Sequence, residues 1–350
     1  MNVRKWLMSL VLLPSVLMAE TREVTNAVDL VKALTELNGN TANVIKLVPG
    51  NYDVSEYEMF AGAGTPGAYT TMPAHLLLQK ASVIGQSDNP RDTVVYGNLT
   101  KVIFKTEGGV IRNLTVSNGY NSTSGSYGAG LSGAGSGTYG GAACSNLVLT
   151  CNDCSASNGG GGAGMGTCYD CECCYNKANH GAGAAYVTKA TRFYIHDNVA
   201  TSTGGGALNG SYYDSVIVNN QADHFAGYSA NSPFTCWNTT IVSNTAKYAA
   251  GAGALTTGQR ETFVNCTFAF NKATSTYGGA GEKLSLTNCL VYGNRATTYG
   301  GGVVNSEVSG GVISNNVATV DDGGGVYVTG SSSVFESGAR CGTAKSPPAT

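Results

Sequence analysis

The sequence predicts an all-β chain wound as a single-stranded parallel β-helix, a solenoid whose coils are about 23 residues long. Three observations carry that prediction: an Asn-x-Ala unit recurs, an apolar or Cys residue stands three positions before each Asn, and a glycine cluster follows about six to eight residues after it. Composition agrees. Of 350 residues, 49 are Gly, 42% are hydrophobic and only 12% are charged, with a net charge of −2. Such a chain can bury a core and is not a disordered polyelectrolyte. A pI near 6.1, with no run of Lys or Arg, excludes nucleic acid as a partner on electrostatic grounds. The glycines lack the every-third-residue period of collagen.

Taken in order, residues 1–19 open with Arg4 and Lys5, continue through the apolar stretch 6–17 and reach small Ala19, which is the layout of a secretory signal. The apolar run is shorter than the roughly 18 residues a membrane helix needs. The expectation is an exported chain with no transmembrane span once the signal is removed, placed outside the cell, at its surface or associated with an outer membrane. Residues 25–38 carry Val28, Val31, Leu34 and Leu37 at helical spacing, with Thr25 or Asn26 as N-cap and Gly39 near the stop. That helix suits a cap over the open edge of the first coil. Residues 45–52 read as strand and turn, followed by less regular coils at 83–85, 94–97 and 111–116. The Gly/Ser tract 125–141 reads as a loop. The expected division is a signal at 1–19, cap helix and first coil at 20–80, β-helix at 81–330 and a tail at 331–350.

The repeat itself comprises Asn176, Asn198, Asn220, Asn244, Asn271, Asn294 and Asn316, with Asn152 as a weaker first member; the steps are 24, 22, 22, 24, 27, 23 and 22 residues. Leu149, Cys173, Ile195, Ile217, Ile241, Phe268, Val291 and Ile313 form the column three residues earlier. Two further back lie Leu147, Cys171, Phe193, Ser215, Thr239, Cys266, Cys289 and Gly311, a second and less strictly apolar column. Runs of three to six residues dominated by β-branched types are strands. Stacked about 4.8 Å apart, seven steps give a rod of roughly 34 Å in which Asn amides bond along the stack and the apolar columns fill the bore.

Together, the helix, the element Leu47-x-Pro49-Gly50-x-Tyr52 and the coils resemble the right-handed parallel β-helix superfamily typified by pectate lyases. Gly205-Gly206-Ala207-Leu208 and Phe268-Ala269-Phe270-Asn271 are similar to the paired GGA(I/L/V) and FxxN repeats of polymorphic outer-membrane proteins, which are surface adhesins. Relaxed copies include Ile241-x-x-Asn244, Val291-x-x-Asn294 and Gly301-Gly302-Val303-Val304. The resemblance implies a right-handed coil and a non-catalytic adhesive or glycan-binding role, with a polysaccharide or cell-surface glycan as partner. The competing expectation is a polysaccharide lyase or glycoside hydrolase of the pectate-lyase type.

Eleven cysteines are present, seven of them between Cys144 and Cys174. The pairs Cys151/Cys154 and Cys168/Cys171 have zinc-like spacing, but Cys171 and Cys173 fall in the inward columns, so the expectation is local disulfides or buried thiols and no metal. Cys266 and Cys289, 23 residues apart, are either a disulfide or stacked thiols.

A lyase needs a base to remove a proton beside a uronate carboxylate, with Ca2+ as the one cofactor that chemistry would bring. The outward candidates are His180, Asp223 and His224, with His196 and Asp197 on the intervening coil. Polar surface residues would look the same. Tyr277 and Tyr299, each between Thr and Gly-Gly, are candidates for sugar stacking or for an aromatic ladder packed at the bend. No HExxH or GxSxG element occurs.

Overall fold

A computed structural model describes residues 19–59, 74–122, 128–133, 141–154, 159–256, 258–321, 323–328 and, as backbone, 340–341. The expected export signal, apart from Ala19, and most of the expected tail lie outside them. The chain is an all-β, right-handed parallel β-helix of about 11 coils of about 24 residues, with 5% helix. Among the described residues thirty short strands form one wraparound sheet and nine form a second, and every register between these strands is parallel. Among the described residues no helix is long and apolar enough to cross a membrane.

One coil shows the plan. Ala184–Thr191 runs along a first face and round onto a second, Tyr194–His196 forms a third, Asn198 turns the corner, Val199–Thr203 forms a fourth, and a glycine bend, Gly204 to Gly206, returns the chain to the next coil. Two further corners use left-handed backbone. Arg192 (φ 51°) and Asp197 (φ 55°) occupy it here; Asp170, Asp214, Asn238, Asn265 and Asn288 repeat the first, and Tyr175, Asn219, Ser243, Phe270 and Asn315 the second. Asn and Asp dominate the first set because their short polar side chains tolerate that conformation.

The two inward columns are where the spacing puts them. The column from Leu149 to Ile313 is buried throughout, and its members pair directly, Ile195 with Ile217, Ile217 with Ile241 and Ile241 with Phe268. In the second column Leu147, Cys171, Phe193, Ser215, Thr239, Cys266 and Cys289 are buried. Each Asn is buried at 0–1% exposure and donates from Nδ2 to Oδ1 of the Asn one coil on, at 2.9–3.1 Å from Asn152 through Asn316. The same Oδ1 accepts the backbone N–H of the preceding Asn, as from Asn220 to Asn244 at 2.9 Å. One side chain thereby serves a backbone donor that the corner would otherwise leave buried and unmet.

Glycine clusters close each coil for two reasons. Gly204 (φ 67°) bends through the left-handed region. Gly206 is extended, yet a Cβ there would lie 2.6 Å from Ile217 Cγ2 and 2.9 Å from Asn220 Nδ2. The glycine of one coil thus seats against the apolar residue and the Asn of the next.

The coils are unequal, with 22 residues from Asn198 to Asn220, 24 to Asn244 and 27 to Asn271. The surplus lies where the first face meets the second. Ala207–Tyr213 crosses that edge unbroken, whereas Ala252–Ala254 and Glu261–Val264 are separate strands.

Three expectations are corrected. The helix spans Ala27–Leu37, with the Asn26 side chain accepting the Asp29 N–H at 2.9 Å, but its buried face is Leu30, Ala33, Leu34 and Leu37, while Val28 is 60% exposed. The i, i+3, i+4, i+7 set begins at Leu30. Leu131–Gly133, within the tract read as a loop, is a buried strand paired with Val102–Glu107; small residues suit it because neighbouring coils approach closely. Arg340–Cys341, within the expected tail, pairs with Val312 and Ile313 on the third face.

Cys144, Cys151, Cys168, Cys171, Cys173, Cys174, Cys236, Cys266 and Cys289 are free thiols. Cys168, Cys171 and Cys173 line the bore, whereas Cys154 packs among Ala129, Ala178, Ala182 and Ala200 under the fourth face. The zinc-spaced pairs therefore do not converge. The hydrogen bond with Cys168, and after it burial, holds the Cys171 thiol well above its ordinary range, and burial does the same for Cys173.

The bore also holds Glu261, fully buried, with Oε2 accepting the Phe234 N–H at 3.2 Å and Oε1 unpartnered. Burial pushes its carboxyl up to about 7 from an ordinary 4.5, the Phe234 N–H opposing.

Two outcomes follow from this interior. Asn244→Ala leaves the buried Asn220 backbone N–H without a partner and removes one of the bonds of its Nδ2, which keeps Ile195 O and Val218 O, and should lower unfolding free energy by about 2 kcal/mol or more, whereas Thr240→Ala on the outer side of the same coil should change it by about 0.5 kcal/mol or less; urea midpoints measure both. Because the folded state holds the Glu261 proton more tightly than the unfolded chain, the Glu261 contribution to stability should be greatest below about pH 4.5, fall as pH rises to about 7 and level off above, by roughly 3 kcal/mol. Glu261→Gln should remove that slope in urea titrations at pH 5 and pH 8.

Candidate functional site

On the third face, strands alternate one residue in and one out. The inward row is the Ile/Phe column. One outward row runs Glu172, Tyr194, Val216, Thr240, Thr267, Leu290 and Val312, and the other Cys174, His196, Val218, Val242, Ala269, Tyr292 and Ser314, each member in register with the next. The left-handed corner turns Tyr175 and Phe270 outward at the flank. Tyr175 is 59% exposed, Phe270 57% and Tyr194 45%. Phe270 meets Tyr292 edge-on at 5.2 Å between centroids. Beside Tyr175 a shallow depression of about 260 Å3 is lined by Leu99, Asn118, Cys151, Asp153 and Lys177.

The upper part of this face concentrates polar chemistry. His196 Nδ1 lies 2.6 Å from Asp197 Oδ2 and its Nε2 3.2 Å from Glu172 Oε1. Arg91 Nη2, from the short turn Pro90–Asp92, donates to the same Glu172 oxygen at 2.7 Å, and Cys174 Sγ lies 3.5 Å from that oxygen and from Thr150 Oγ1. Tyr194 stacks on the His196 ring at 4.3 Å, and Tyr175 meets it edge-on at 5.9 Å. Burial acts to raise the Glu172 carboxyl, but hydrogen bonds from Arg91 and His196 outweigh it and hold the group below its ordinary value. Burial pushes the Cys174 thiol up to about 11.

The residues singled out in the sequence are distributed differently. His180 and His224 occupy one register row of the fourth face, with buried Thr203 between them. Burial lowers both histidines, with Asp223 partly opposing at His224. Asp223 is paired with Lys247 at 2.8 Å, and His224 stacks on Tyr248 at 4.4 Å. His196 and Asp197 do not join them. They precede the Asn198 corner and face outward on the third face, so the coil between His180 and His224 adds neither His196 nor Asp197 to that row. Tyr277 and Tyr299 are partly buried at the glycine bend. Tyr299 stacks on Tyr327 at 4.5 Å, the packing an aromatic ladder gives, and burial raises the Tyr277 hydroxyl, aided by Glu282.

No family model matches the chain, and no curated protein matches it. Among solved structures it is similar to the Azotobacter vinelandii mannuronan C-5 epimerase AlgE6 A-module, with 15% identity over 87% of this chain and 93% of that one and a TM-score of 0.34. A likeness at that level determines neither activity nor ligand, so function rests on the residues of the site.

Proposed function

We propose that this protein is an exported, non-catalytic adhesion module that binds a glycan along its third face, with the helix Ala27–Leu37 closing the N-terminal end of the solenoid. The observation that carries this reading is the set of outward rings Tyr175, Tyr194 and Phe270 on one continuous strand face. Rigid rings that leave one side open stack on the apolar faces of sugars at little entropic cost, and neighbouring Asn, Asp, Lys and Thr groups can hydrogen-bond hydroxyls. A long, open face suits a polymer better than a small metabolite.

The competing reading, a polysaccharide lyase or hydrolase acting at His180, Asp223 and His224, draws support from two neutral imidazoles in one row. Its weakness is that Lys247 already engages Asp223.

The test is retention on an array of plant and microbial polysaccharides, run alongside assays for unsaturated uronate products and new reducing ends. Retention without turnover is expected, and alanine at Tyr175, Tyr194 or Phe270 should each weaken it roughly three- to tenfold. His224→Ala should leave retention unchanged. Turnover that disappears in His224→Ala would refute the binding reading in favour of the enzyme.

A further inference from the structure

We propose that Glu172, Cys174 and His196 form a binding site for a divalent metal ion of the zinc type on the third face, with Asp197 orienting the histidine. The inference is independent of the glycan reading and rests on the donor atoms themselves.

The three ligand atoms lie within 4.8 Å of one another. Metal–ligand bonds of about 2.0 Å to oxygen and nitrogen and about 2.3 Å to sulfur, at tetrahedral angles, imply edges of about 3.3 Å for O to N and about 3.5 Å for O to S. The observed edges are 3.2 Å from Glu172 Oε1 to His196 Nε2 and 3.5 Å from Glu172 Oε1 to Cys174 Sγ. Two of the three edges are already at coordination length, and the third, from His196 to Cys174, is within 4.8 Å.

The histidine makes a second, separate argument. Its Nδ1 faces the Asp197 carboxylate and its Nε2 faces the Glu172 carboxylate. An ionised carboxylate only accepts, and a neutral imidazole has one N–H to give. Either a second proton or a cation must therefore lie between Nε2 and Glu172. The Asp197 contact is the carboxylate–histidine arrangement that fixes the tautomer of metal-bound imidazoles. Stacking on Tyr194 at 4.3 Å fixes the ring plane.

Charge and donor type narrow the ion. Glu172, Asp197 and a Cys174 thiolate bring three negative charges; Arg91 and a dication balance them. Arg91 occupies one lone pair of Glu172 Oε1 at 2.7 Å, and a carboxylate oxygen has a second to give. One sulfur, one imidazole and one carboxylate favour zinc-like ions over the all-oxygen preferences of Ca2+ or Mg2+. Three protein ligands leave a fourth position for water or another ligand, the count of an open site rather than a closed structural one.

The full chain, reduced and stripped with chelator, is titrated with Co2+ and then with Zn2+ against a chromophoric chelator. One equivalent of Co2+ should bind with a thiolate-to-cobalt charge-transfer band and tetrahedral d–d bands, and Zn2+ should displace it. Cys174→Ser should abolish the charge-transfer band, while Cys236→Ser, at a buried thiol elsewhere, should keep it. Glu172→Gln should weaken binding at least tenfold. Asp197→Asn, which tolerates the same left-handed backbone, should weaken it about 10- to 100-fold without moving the melting temperature of the metal-free protein. No stoichiometric binding, or a charge-transfer band that survives in Cys174→Ser, would overturn the site and leave a proton between His196 and Glu172.

Discussion

The structure depends on meeting the hydrogen-bonding needs of one buried corner. Where the third face turns into the fourth, the chain rounds a corner with the Asn side chain inside the rod, and a backbone N–H is carried away from water with no strand partner. The Asn side chain meets that need because it holds both a donor and an acceptor. Its Oδ1 takes the orphaned N–H and the amide from the coil before, while its Nδ2 serves the coil after and a carbonyl such as Ile217 O. Asp lacks the donor, and Ser is too short to reach both neighbours. The requirement is met only when an identical residue stands above and below, which is why the period is kept although its length is not.

The glycine cluster is the complement of that corner. Gly183 lies against Ile195 and Asn198, Gly206 against Ile217 and Asn220, and Gly227 against Ile241 and Asn244. The Gly-Gly-Ala and apolar-x-x-Asn motifs are two sides of one packing contact between successive coils. Their joint recurrence is a steric consequence of the stack and carries information on fold, not on ligand.

This explains what could be read from the chain. Residues that face the bore repeat with the coil and were legible: the Asn column, the Ile/Phe column, and Cys171 and Cys173 as core members. Positions free of the stack were not. Val28 shares helical spacing with the buried face but sits one step off it, and Leu131 is hidden among small residues that resemble a linker. The Glu172, Cys174, His196 and Asp197 group escaped because its two halves, Glu172 with Cys174 and His196 with Asp197, are 22 to 25 residues apart in outward positions, where no repetition marks them. Counting back from Asn176 and Asn198 would have aligned them. His196 instead drew attention toward His180 and His224, since closeness along the chain says nothing about which side of the Asn corner a residue occupies.

The unequal coils have a wider meaning. Because surplus residues gather where the first face meets the second, the rod separates a constant internal gauge from one outer edge that is free to lengthen. A duplication of one coil adds a rung without disturbing those beside it, and an insertion at that edge reshapes the profile without touching the ladder. The seam near residues 231–234, 255–256 and 258–260 is thus where such a lineage can acquire new surface, and where a foreign peptide could be displayed on an unchanged shaft.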